Sequence, residues 1–204
     1  MTHLMGSGNL GREAGELGPD RSREWGDVAR YAVLLRGINL GKARRVAMAD
    51  LRIQLTEEGY DNVATLLQSG NVVLDADRPP AELGPALEQA IEKGFGIPVG
   101  VILRSRDELA RVVAKNPLAA VADDGSKYVV SFLAQPINRP IEDALAGAEL
   151  GADRYAVDGT EMYIWCPGGL RDSPLMNALG KIKDGPPATV RNWNTVEKLL
   201  TMMQ

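Results

Sequence analysis

The chain has 204 residues, a net charge of −4, 45% hydrophobic and 25% charged residues, a balance that can bury one large core or two small ones. Its single cysteine, Cys166, and single histidine, His3, exclude an internal disulfide, a Cys/His zinc site and a histidine-dependent nucleophile in the folded part. No apolar run approaches the roughly 20 residues of a membrane helix, no secretory leader pattern opens the chain, and the acidic balance argues against nucleic-acid binding, so a cytoplasmic protein is expected.

Residues 1–29 are Gly-rich and charged without apolar periodicity and read as a flexible arm. Within them Gly6-Ser7-Gly8-Asn9-Leu10-Gly11 spells a G-x-G-x-x-G string. It lacks the preceding strand and following helix that would aim backbone N–H groups at a pyrophosphate, and is rejected as a dinucleotide loop. From Arg30 the pattern sharpens. Residues 31–35 form an apolar run ended by Gly37, a strand buried on both faces; residues 47–58 place Met48, Leu51 and Leu55 at helical spacing. Residues 63–67 and 72–74 read as strands joined by the turn Gln68-Ser69-Gly70-Asn71. A helix over 80–93 and a strand over 99–103 follow, and then Ser105 opens a helix with Glu108 completing a capping box.

That order is β-α-β-β-α-β-α for residues 30–116. After a linker at 117–126 it repeats over 127–204: strand 128–133, helix 141–150, a hairpin of 155–157 and 162–165 around Asp158-Gly159, helix 174–182, strand 188–190 and helix 193–203. The expected fold is therefore α+β, two tandem ferredoxin-like units. Strands 31–35 and 128–133 are apolar on both faces, so the other half or a second copy must cover the face that each unit's helices leave open.

In a split β-α-β unit the end of the first strand and the turn between the second and third share one sheet edge. Arg36 and Asn39 should then meet Gln68, Ser69 and Asn71, with Lys42 nearby in a basic segment that includes Arg44, Arg45 and Arg52 against Asp50 alone. The following helix points its N-terminus at the same rim, where free N–H groups favour an anion. The plainer reading is that the asparagines hold turns and the cations line a solvated face. A second polar cluster is Arg191-Asn192-Trp193-Asn194, read as an N-cap (Asn192) and seam filler (Trp193), or as a helix terminus at which Arg191 grips an anion. Lys181 and Lys183 suit a helix C-terminus, and Cys166, with no adjacent cation, suits an inert thiol.

Taken together, Arg36-Gly37-Ile38-Asn39-Leu40-Gly41, Met48-Ala49-Asp50-Leu51-Arg52, Gln68-Ser69-Gly70-Asn71 and Thr189-Val190-Arg191-Asn192-Trp193-Asn194-Thr195 resemble a bacterial family of unknown function, DUF1697. The resemblance runs from about Arg30 to the C-terminus. It implies two ferredoxin-like units and no established activity, substrate or cofactor. The chain departs from it at Lys42, where many members carry a second glycine, and at Pro174, where many carry lysine.

Three functions compete. The first is a binding or regulatory protein for a small anionic or nucleotide-like ligand. The second is an enzyme working through carboxylate, lysine or tyrosine chemistry, with Lys181, Asp50 and Tyr155 at hand. The third is a protein-interaction module, including pairing with a second copy through an open sheet edge. No cofactor or metal is expected, and RNA stacking is disfavoured because the middle strand Val72-Val73-Leu74 has no aromatic residue.

Overall fold

The computed structural model describes residues 28–39 and 45–204; the arm, its glycine string and Lys42 lie outside them. The fold is α+β, with two four-stranded antiparallel sheets and six helices. The first sheet holds β1 (Ala29–Arg36), β2 (Asp61–Leu66), β3 (Asn71–Ala76) and β4 (Gly100–Ser105), with helices α1 (Met48–Glu57), α2 (Pro80–Phe95) and α3 (Arg106–Lys115). The second holds β5 (Tyr128–Leu133), β6 (Arg154–Asp158), β7 (Glu161–Trp165) and β8 (Ala188–Asn192), with α4 (Arg139–Ala146), α5 (Pro174–Gly180) and α6 (Trp193–Met202).

Strand order is β2-β3-β1-β4 in one sheet and β6-β7-β5-β8 in the other, so each half repeats the other's topology. The registers agree too. Leu35 donates its N–H to Gly70 O at 2.8 Å, and Leu133 donates to Thr160 O at 2.9 Å, which matches Leu35 with Leu133 and Val33 with Ser131.

The period-two alternation of β1 sends Tyr31, Val33 and Leu35 under α1 and α2, where Leu51, Leu55, Leu83, Leu87 and Ile91 close a core. Ala32 and Leu34 face the other way. They enter a core shared by both sheets, with Val130, Phe132 and Tyr163 from the second half and Leu109, Val112, Val196 and Leu199 from α3 and α6. In the second half, Val129, Leu133, Met162 and Ile164 pack beneath α4 and α5. The face each unit leaves open is thus covered by the other half of the same chain. Both faces of β3 are buried, which leaves no open platform there for stacking bases.

Boundaries shift where propensity competes with pairing. Asn71 belongs to β3 rather than to the turn, because it pairs with Leu34 on β1; the turn is closed instead by Leu67 and Gly70, at φ 57° and 80°. Helix α4 ends at Gly147 rather than at Gly151. Strand β8 runs on through Arg191 and Asn192, which pair with Val130 and Val129. The Ser105–Glu108 capping box forms in both directions, at 3.3 Å and 2.7 Å. Among the described residues no helix is long and apolar enough to cross a membrane, and no cluster of His, Cys, Asp or Glu could hold a metal.

Candidate functional site

The topology does bring the end of β1 to the first hairpin. Asn39 donates to Gln68 O at 2.6 Å and to Val46 O at 3.2 Å, and accepts from Val46 N at 2.9 Å. Its amide acts as a clasp between Val46 and Gln68, spending both donors and its acceptor. At the hairpin tip Gly70 is required: a Cβ there would stand 2.6 Å from Ile38 Cδ1 and 2.8 Å from Leu35 Cβ. A concavity of about 410 Å3 lies beside the clasp, lined by Asn39, Arg45, Val46, Ala47 and Gln68. Ser69 is exposed and accepts from Asn71 Nδ2 at 3.0 Å.

Asn71 does not join that rim as a ligand group. It is wholly buried, donates to Leu66 O at 2.8 Å, and turns its Oδ1 inward to accept from Arg191 Nε. Arg191 does not grip a free anion at a helix terminus either. As a β8 residue 6% exposed, it places Nη1 on Thr189 Oγ1 and Val190 O at 2.7 and 2.8 Å, and Nη2 on Leu35 O and Gly70 O at 2.9 and 3.2 Å. A guanidinium has five N–H donors, and these contacts with Asn71 account for all five. Burial draws its pKa down to about 10, and it remains a cation at neutral pH. Arg191 is a latch between halves.

The mirror latch is Arg104, at the matching place on β4. It reaches Leu133 O and Thr160 Oγ1, both at 3.0 Å, its own neighbour Leu103 O at 2.7 Å, and Glu161 Oε1 at 2.7 Å. Leu35, Gly70 and Asn71 around Arg191 correspond to Leu133, Thr160 and Glu161 around Arg104. One latch therefore has a carboxylate partner where the other has an amide.

The rest of the second cluster is also structural. Asn192 caps α6, accepting from Thr195 N at 2.9 Å. Trp193 stacks on Tyr128 with ring centroids 4.8 Å apart. Asn194 lies so close over Gly125 in the linker that a Cβ there would meet its Oδ1 at 2.1 Å. Cys166 is buried and donates to Ser173 Oγ at 3.2 Å; burial pushes its thiol pKa up, as an inert group requires. Ser173 in turn donates to the buried Asp153 at 2.6 Å. For an enzyme, Asp50, Tyr155 and Lys181 would need to reach the Arg36 or Arg191 cluster; all three are exposed and none hydrogen-bonds to either among the described residues.

Arg36 takes a different course from its neighbours. On β1 it shares the parity of Ala32 and Leu34, so it leaves the first unit toward the second. Its guanidinium rests against its register partner Gly100, where a Cβ would come within 3.0 Å of Nε. From there it forms one side of a cleft of about 350 Å3 over the second sheet. Lys183 belongs to the same lining, and Leu133, Ile141, Met162, Leu179 and Ile182 are its apolar members. The lining contains two cations and no carboxylate, and among the described residues Arg36 pairs with no acid.

The cleft exists because the two helical layers are unequal. Helix α2 runs 16 residues over the first sheet, whereas α5 has 7 and gives way to the loop carrying Lys183 and Pro187. Beneath that gap the floor position equivalent to the fully buried Val33 is Ser131. A hydroxyl in the middle of YVVSFL is a signal present in the sequence, and sequence reading passed over it as part of an apolar run.

Residues 28–163 match the model of a family described as protein of unknown function (DUF1697), and the chain belongs to that family. Among solved structures it is similar to a conserved bacterial protein from Streptococcus pneumoniae, at 23% identity and a TM-score of 0.72, over 87% of this chain and 99% of that one. Likeness at that identity speaks for a common fold alone. No curated protein matches the chain.

Proposed function

We propose that this is a binding protein for a small organic anion, held in the cleft between Arg36 and the second sheet. The observation that carries the reading is Arg36 itself: a guanidinium from one half in the lining of a cleft over the sheet of the other, with a second cation and no acid in that lining. Two cations with no carboxylate in one lining make a locally positive field, which favours an anionic occupant. The site differs from the rim expected from sequence, since Asn39 and Asn71 spend their amides on the backbone and on each other's surroundings. The same reading takes each half as a ferredoxin-like unit of a tandem duplication, which the matching strand orders and paired arginine latches support. A cytoplasmic setting fits a lone free thiol.

Calorimetric titration with benzoate and with phenyl phosphate tests the proposal. Both are expected to bind the wild type, and Arg36→Met to weaken them about ten-fold or more, as loss of one charge-assisted hydrogen-bonding group implies. Because Arg36 is exposed and unpaired among the described residues, its removal is expected to leave the melting temperature nearly unchanged. Gly100→Val keeps the charge but displaces it, and is expected to weaken binding as well. Equal affinity in wild type and Arg36→Met refutes the site.

A further inference from the structure

The occupant's chemistry can be taken one step beyond its charge, on the premise that the cleft binds an anion at all. We infer that the ligand is an amphipathic organic acid: one anionic head at the mouth and a short apolar body laid along the second sheet.

Three features carry this. Arg36 and Lys183 are exposed, whereas Leu133, Ile141, Met162, Leu179 and Ile182 in the same lining are buried or half-buried. The charged groups of the lining are thus its solvent-facing part and the apolar groups its inner part. A bare anion such as phosphate would use Arg36 and leave this apolar wall wet. The apolar part of the lining is also incompletely covered. Leu179 and Ile182 stay half-buried against the cluster beneath α4 and α5, so a ligand there would cover apolar surface that α5 is too short to close. Finally the size fits a small body. A volume of about 350 Å3 corresponds to roughly a dozen waters at ~30 Å3 each, room for a six- to eight-carbon tail.

The head is read by charge and hydrogen bonds, the tail by burial. Each methylene added to the tail should then tighten binding about four-fold, the equivalent of ~0.8 kcal/mol per buried CH2. That gain must stop once the tail fills the cleft. Ser131 is the one side-chain hydroxyl in the lining and adds a hydrogen-bonding group beside its apolar members.

The test is a calorimetric series on the full chain with acetate, butyrate, hexanoate and octanoate, beside hexan-1-ol and inorganic phosphate. Hexanoate is expected to bind about ten-fold or more tighter than butyrate, acetate and phosphate to give no measurable heat, and hexan-1-ol to bind far more weakly than hexanoate. Ile182→Asn, a half-buried wall position, is expected to flatten the chain-length dependence. Acetate or phosphate binding as tightly as hexanoate would overturn the amphipathic ligand while leaving an anion site at Arg36. Hexan-1-ol equal to hexanoate would overturn the role of the head, and silence across the whole series would overturn the amphipathic ligand, while Arg36-dependent binding of benzoate or phenyl phosphate would still hold the anion site.

Discussion

Replacing Arg191 with methionine is expected to destabilise the protein by about 3–5 kcal/mol, the scale seen when one member of a buried hydrogen-bonded set is removed. Methionine fills the stem of the side chain, so the loss is polar rather than a cavity. It strands Asn71 Oδ1 and withdraws donors from Thr189 Oγ1, Leu35 O and Gly70 O, all sealed between the halves. Lysine is not expected to rescue, because a single ammonium cannot reproduce a planar fork spread over acceptors from β1, β3 and β8. For a chain of this size the melting temperature should fall by roughly 6–20 °C. A drop of 2 °C or less would show that the latch is incidental to the packing of the two sheets.

Arg104→Met is the second large effect, and it is expected to behave differently because its partner is charged. Removing the guanidinium leaves the Glu161 carboxylate, whose side chain is 14% exposed, with only the Thr160 hydroxyl for company. The expected loss is again about 3 kcal/mol, much of it the cost of a lone carboxylate out of water. Adding Glu161→Gln to Arg104→Met should therefore recover on the order of 1–2 kcal/mol, whereas the same change in the wild type should destabilise. Chemical denaturation of the four variants closes the cycle. Strict additivity would mean that Arg104 and Glu161 are neighbours without being coupled. The matching Arg191–Asn71 pair holds no such charge, so neutralisation has nothing to relieve there.

These latches explain how far the sequence could be read. Strand and helix order were legible because period-two and period-3.6 apolar patterns, Gly ends and the Ser105–Glu108 box are all local signals. The duplicated order was legible for the same reason, and even the likeness of Leu103-Arg104-Ser105 to Val190-Arg191-Asn192 stood in the sequence. What it meant did not. Arg191 meets Asn71 across 120 residues of chain, and no local spacing encodes that meeting. Read locally, a conspicuous arginine beside a helix N-terminus suggests an anion site; in three dimensions its donors are consumed by the protein itself.

Arg36 shows the converse. It was picked out with Asn39 and Asn71 because all three sit at one sheet edge, and the edge does assemble. Side-chain direction then separates them: Asn39 clasps Val46 to Gln68, Asn71 turns under the hairpin, and Arg36 crosses to the second half. The cleft it enters depends on the shortness of α5, and the sequence reading carried that helix on to Ile182, which hid the gap. Lys183 was accordingly assigned to a helix end instead of to the mouth of a cleft.

The most direct test of that cleft is methyl NMR on methionine-labelled protein. The Met162 resonance is assigned by Met162→Leu and followed through a benzoate titration. Met162 is nearly inaccessible and lies on the cleft wall, so only an occupant inside can move its signal strongly. A saturable shift of Met162 is expected in the wild type and is expected to vanish in Arg36→Met. A Met162 signal that stays still while benzoate binds elsewhere, or that shifts equally without Arg36, would contradict binding in the cleft.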